Sequence, residues 1–200
     1  MIFHKTYTAP PLNRAEILKY AQSPTADRET DLTLQACLKE AEGQLRYKVC
    51  YCELPLAADG ELCDFGEFSV CSHHLAINLR GCSRVVVFAA TVGLGIDRLI
   101  AKYSRLSPAK ALMFQAIGTE RAEALCDVFC ADMAKEYACA VRPRFSPGYG
   151  DLPLALQKNV FSLLDCERTI GITLNNSLLM SPTKSVTAFL GLETHSCTEV

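Results

Sequence analysis

From Pro108 to Tyr137 the chain keeps the apolar spacing of a helix, the longest such pattern it contains, with Gly118 as its single weak point. Immediately upstream, Val85-Val86-Val87-Phe88-Ala89-Ala90 is a continuous apolar run, which reads as a strand buried on both faces. A long helix beside a fully buried strand needs other elements to cover both. The flanking sequence supplies them without a regular strand–helix alternation, so the expected class is α+β, a mainly antiparallel twisted sheet packed with helices, rather than a doubly wound sheet.

Those other elements follow from caps and turn residues. Asn13 is placed to cap a helix over Arg14–Tyr20, and helical spacing resumes after Pro24 through Leu32–Leu38. From Tyr47 to Leu79 short runs alternate apolar and polar residues between turn signals such as Asp59-Gly60, the signature of antiparallel strands. Asp151 can cap a further helix that accommodates Pro153 in its first turn and uses Leu154, Leu156, Val160, Leu163 and Leu164 as apolar positions. Strands are then expected from Ile172 to Met180 and from Ser185 to Leu192, joined by a turn at Pro182. With 200 residues, half of them apolar, and no Pro/Ser/Gly-rich linker, one domain is expected. Within it, residues 1–80 form helices and short strands packed onto a core of residues 81–200.

The charge balance narrows the partners. Twenty basic and 22 acidic residues leave a formal charge of -2 with no basic run to track a phosphate backbone, which argues against nucleic acid. Met1-Ile2-Phe3-His4-Lys5 lacks the apolar core of a signal peptide and no apolar stretch reaches bilayer length, so a cytoplasmic protein without a membrane partner is expected. In that compartment the eleven cysteines read mostly as reduced, buried hydrophobes. The nearest pairs, Cys50-x-Cys52 and Cys126-x-x-x-Cys130, lack the two-residue gap and matching second pair of a zinc site. His73-His74, read as strand neighbours, point opposite ways. The two glycines of Thr91-Val92-Gly93-Leu94-Gly95 lack the rest of a nucleotide-loop pattern and read as a tight, closely packed turn.

Two features point to a ligand. Counting by threes and fours along the long helix, Leu112, Ala116, Thr119, Glu123, Cys126, Cys130, Ala134 and Tyr137 share a seam, with Lys110, Arg121, Asp132, Lys135 and Glu136 on other sides. A carboxylate at Glu123 in that seam needs a partner, either a structural Arg or a ligand. The second feature is Arg144-Phe145-Ser146-Pro147-Gly148-Tyr149-Gly150-Asp151. Arg144 offers a planar fork for a carboxylate, Pro147 and Gly148 a bend that lets backbone approach a ligand, and Tyr149 a hydroxyl and a π face for a cation.

The spacing Arg144-x-x-x-Gly148-Tyr149 resembles the S-adenosylmethionine motif of the reactivation (activation) domain of cobalamin-dependent methionine synthase. The order of Val87–Gly93, Arg121–Leu125, Leu164–Ile172 and Ser177–Val186 is similar as well. The likeness covers roughly residues 85–190, and the first 80 residues look more like short stand-alone relatives. It implies S-adenosylmethionine contacts at Arg144 and Tyr149, with Glu123 matching an acidic ligand-binding position. In that family inactive cob(II)alamin is rescued by one-electron reduction coupled to methyl transfer from S-adenosylmethionine. The implied partners are a corrinoid-binding or methionine synthase protein acting in trans and a flavodoxin-like reductant; a non-catalytic binding or docking module is the alternative. The family's early Asp-Trp element has no counterpart, since the chain has no Trp. The family's paired tyrosines are replaced near Ser196-Cys197.

Overall fold

In the computed structural model the described residues are 1–23, 25 and 27–193, so Pro24 and Ser196-Cys197 lie outside them. Strand β1 (Phe3–Tyr7) is followed by helices α1 (Arg14–Tyr20) and α2 (Arg28–Ala41). Both start at side-chain caps: Asn13 Oδ1 accepts from the Glu16 amide at 3.2 Å and Asp27 Oδ1 from the Thr30 amide at 2.8 Å. Strand β2 (Tyr47–Pro55) then leads into a small sheet of β3 (Ala57–Asp59), β4 (Leu62–Asp64) and β5 (Ser69–Cys71), and helix α3 (His73–Asn78). Strand β6 (Cys82–Thr91), helices α4 (Gly95–Leu106) and α5 (Pro108–Glu136), a 3-10 turn at Leu154–Leu156, and helices α6 (Gln157–Leu164) and α7 (Cys166–Ile170) follow. The hairpin β7 (Thr173–Leu174) and β8 (Met180–Ser181) precedes the last strand, β9 (Ser185–Glu193).

The main sheet has the order β1-β2-β6-β9 and is antiparallel throughout, with Phe88 opposite Tyr51 on one side and Ala188 on the other. Alternation along β6 explains its continuous apolar run. Val86, Phe88 and Ala90 face a core built with α1, α2, α4 and α5, whereas Val85, Val87 and Ala89 face a second core closed by Phe65, Leu75, Leu164 and Ile172. This is the α+β class read from the sequence. The turn between β6 and α4 is closely packed as expected: a Cβ on Gly95 would lie 2.1 Å from the Gln44 carbonyl oxygen.

Three expectations need correction. His73 and His74 open a helix rather than lying on a strand, because Ser72 Oγ accepts from the Leu75 amide at 3.1 Å. Asp151 does not cap the helix that follows it. Its carboxylate reaches back to the start of α3, accepting from Ser72 Oγ and from the His73 amide at 2.7 Å, while the chain after Pro153 enters α6 through the 3-10 turn. The stretch from Ile172 to Met180 is a short hairpin rather than one strand, because Asn175 Oδ1 takes the amides of Ser177 (2.9 Å) and Leu179 (3.0 Å) and bends the chain.

Most described cysteines are buried and every one is free. Burial pushes the thiols of Cys37 and Cys52 up to about 11, so they pack as uncharged hydrophobes. Among the described residues no helix is long and apolar enough to cross a membrane.

Candidate functional site

The buried stripe of α5 is centred on Met113, Phe114, Ile117, Leu125, Phe129 and Met133, not on the seam through Glu123. Glu123 sits at its border, with its side chain 43% exposed. The carboxylate that enters the interior is Glu120, and its partner is Arg121, which the spacing places on another side; both side chains are 4% exposed. Arg121 binds Glu120 through two nitrogens, at 2.5 Å each, and gives its remaining donors to the carbonyls of Pro10 (2.6 Å) and Pro11 (2.8 Å). Glu120 Oε1 in turn accepts from the Asn13 amide at 2.8 Å. The pair thereby satisfies the polar backbone of a Pro-rich strap that has no sheet ladder, and it seats α1 against α5.

Between α1 and α5 lies an open cleft of about 640 Å³, with Asn13, Glu16 and Tyr20 on one wall, Glu123 and Asp127 on the other, and Arg144 also lining it. Arg144 is held at the sheet edge because its neighbour Phe145 exchanges backbone hydrogen bonds with Phe189 of β9, at 2.9 and 2.8 Å. Its guanidinium then reaches α5: Nη2 donates to Glu123 Oε2 and Nη1 to Asp127 Oδ1, both at 2.5 Å. The two carboxylates are one helical turn apart and grip the two ends of one fork. Burial works against the Arg144 charge, but the hydrogen bonds to Asp127 and Glu123 outweigh it and raise its pKa further.

The structure thus brings together two of the residues singled out in the sequence, Glu123 and Arg144. The other three, Pro147, Gly148 and Tyr149, form the adjoining turn but do not line the cleft. That turn is closed by Tyr149 N to Ser146 O (3.0 Å) and Gly148 N to Leu152 O (2.9 Å). Pro147 is buried, while the Tyr149 side chain is 72% exposed and meets the Phe145 ring edge-on at 6.1 Å. Asp151 anchors the end of the turn to α3. The Ser72 hydroxyl, followed by the His73 and His74 amides, holds the Asp151 carboxyl below the usual carboxylate range.

Sequence reasoning missed Asp127, Tyr20 and Glu16. Asp127 had a signal, since Glu123 and Asp127 stand four apart on a helix; Tyr20 and Glu16 had none, because their place depends on how the strap docks α1. Among the described residues no group of three or more His, Cys, Asp or Glu side chains converges as a metal site would. The Arg144–Glu123–Asp127 group carries one formal negative charge in excess, which favours a ligand of net positive charge.

Residues 72–198 match the family model described as "Vitamin B12 dependent methionine synthase, activation domain". No curated protein matches the chain. Among solved structures it is similar to one titled "Crystal Structure of the MetH Reactivation Domain bound to AdoHcy", with a TM-score of 0.72 and 14% identity over 98% of this chain and 79% of that chain. At that identity the likeness establishes the fold.

Proposed function

Because the chain belongs to the family of the vitamin B12-dependent methionine synthase activation domain, we propose that it binds S-adenosylmethionine in the α1–α5 cleft. There it would support reductive methylation of cob(II)alamin on a separate corrinoid or methionine synthase protein. The observation that carries the reading is the double grip of Glu123 and Asp127 on Arg144 at the cleft. S-adenosylmethionine has an α-carboxylate, an α-ammonium and a sulfonium, a net charge of +1 that complements the −1 of this group. The cleft volume of about 640 Å³ suits a nucleoside-sized ligand. The solved domain of like fold is described with AdoHcy bound, a ligand that shares the amino-acid and adenosine parts.

Asp127, whose side chain is 68% exposed, is the partner that Arg144 releases most cheaply, since exposed ion pairs contribute only about 0–1 kcal/mol. The freed end of the fork takes the ligand carboxylate, and Glu123 takes the ammonium or a ribose hydroxyl. Pro147, Gly148 and Tyr149 flank the Arg144 anchor beyond the cleft, with the exposed Tyr149 ring as a contact for the methionine chain. When a partner presents it, the corrinoid supplies the reduced cobalt that accepts the methyl group, with a flavodoxin-like protein as electron donor. The task of this chain is positioning, and a general base is not required.

Isothermal titration with S-adenosylmethionine, with Arg144→Ala as control, tests the reading. Binding by the wild type that is lost in the variant supports it and leads to a methyl-transfer assay with a corrinoid protein and reductant. No binding by the wild type, or equal binding by the variant, overturns it.

A further inference from the structure

We propose that Tyr20, not Tyr149, is the specificity-determining residue of this site, the aromatic face that distinguishes a sulfonium ligand from its neutral thioether. The inference rests on the S-adenosylmethionine reading and extends it to α1, which lies outside the matched residues 72–198.

Position comes first. Tyr20 lines the same cleft as Glu123, Asp127 and Arg144, and at 37% exposure it presents ring surface to a ligand while remaining packed. Tyr149 is nearly twice as exposed and outside the lining. A ligand whose carboxylate is fixed at Arg144 extends its side chain away from that anchor, into the space that Tyr20 walls from the α1 side.

The electrostatics at Tyr20 favour a cation. Glu16 stands one turn earlier on α1 and Glu123 opposite on α5, and both line the cleft. Burial, then Glu123 and Glu16, push the Tyr20 phenol up, in keeping with the two carboxylates that share its cleft. Arg14, a cation of that wall, is paired with Asp31 of α2. Lys19 pairs with Glu16 at 3.4 Å through an amine that is 70% exposed, so it weakens that carboxylate little. A ring face that shares its cleft with two carboxylates attracts a sulfonium and gains little from a thioether.

This preference has a use in turnover. Methyl transfer breaks the sulfur–methyl bond and leaves the electron pair on sulfur, which turns the sulfonium into a neutral thioether. A site that reads that charge holds the substrate and relaxes its grip on the product.

The test is to measure the dissociation constants of S-adenosylmethionine and S-adenosylhomocysteine by titration calorimetry for wild type, Tyr20→Leu, Tyr20→Phe and Tyr149→Leu, with melting curves to confirm folding. Tyr20→Leu is expected to lower the preference for the sulfonium about five-fold, from the loss of a half-exposed cation–π contact. Tyr20→Phe is expected to keep the preference because the ring face remains, and Tyr149→Leu to weaken both ligands alike, because both carry the amino-acid chain that Tyr149 touches. An unchanged ratio in Tyr20→Leu, or a fall of that ratio in Tyr149→Leu instead, overturns the assignment to Tyr20 while S-adenosylmethionine binding itself stands. A wild type that binds neither ligand removes the functional reading and this inference together.

Discussion

Replacing Arg121 with Met tests the strap that builds the cleft. The substitution keeps an unbranched side chain in the interior but leaves the Glu120 carboxylate, 4% exposed, with no cation, and takes the donors from the carbonyls of Pro10 and Pro11. Removing one partner of a buried pair costs about 3–5 kcal/mol, because the other charge stays behind uncompensated. Against a total stability of about 5–15 kcal/mol this is a large fraction. At roughly 2–4 °C per kcal/mol for a chain of this size, the melting temperature should fall by about 6–20 °C. Urea unfolding gives the free energy directly, and Glu120→Leu combined with Arg121→Met supplies the control. With both charges gone the double variant should lose less than Arg121→Met alone, although the Asn13 amide and the proline carbonyls still lack partners. A single-variant cost below about 1 kcal/mol, the level of an exposed pair, would refute the reasoning.

Other expectations concern the site itself. Arg144→Ala should weaken S-adenosylmethionine binding by about 1.5–3 kcal/mol, the worth of a charge-assisted hydrogen bond, as read by calorimetry. Glu123→Gln should leave the melting temperature of the ligand-free protein nearly unchanged, since its pair with Arg144 is partly exposed; a drop of many degrees in a thermal melt would make Glu123 a structural residue. For Asp151 the sign follows from its lowered pKa: the stabilisation is present above the unfolded value near 3.9 and lost as pH falls through the folded value. Asp151→Asn should therefore melt below wild type at pH 7, with the gap closing below about pH 4 in a series of melts; a gap independent of pH counts against the carboxylate.

Local signals carried much of the fold. Asn13 capped α1 as its side chain demands, the Val85–Ala90 run became the two-faced central strand, and Pro108–Tyr137 became α5 almost to the residue. Even Gly118 has a legible reason once neighbours are known: a Cβ there would lie 2.9 Å from both Ile96 and Lys184. What the sequence hid were contacts between distant segments. Asp151 looked like a local cap, but the donors it serves are 78 residues away in α3, and spacing says nothing about them. The seam count placed Glu123 inside and Arg121 outside because it weighed only apolar positions. Arg121 is drawn in by the carbonyls of Pro10 and Pro11, and no periodicity records such acceptors. The sequence left Glu123 with either a structural Arg or a ligand as its partner, and the structure pairs it with Arg144, which no spacing connects to it.

The cleft is a joint product of two parts of the chain with different standing. Arg144, its two carboxylates and the following turn lie within residues 72–198, so the charge pattern on which the proposed ligand rests belongs to the family region. Glu16 and Tyr20 lie before it and reach the site because Ile17 and Leu18 pack α1 into the core and Glu120 and Arg121, inside the matched region, hold the Pro10–Asn13 strap. On the proposed function, the buried pair supports the α1 wall of the ligand cleft as well as the fold. Loosening it should displace the α1 wall while leaving the Arg144 anchor in place, so Arg121→Met is expected to lower the preference for S-adenosylmethionine over S-adenosylhomocysteine more than it lowers affinity for the two together, as read by calorimetry.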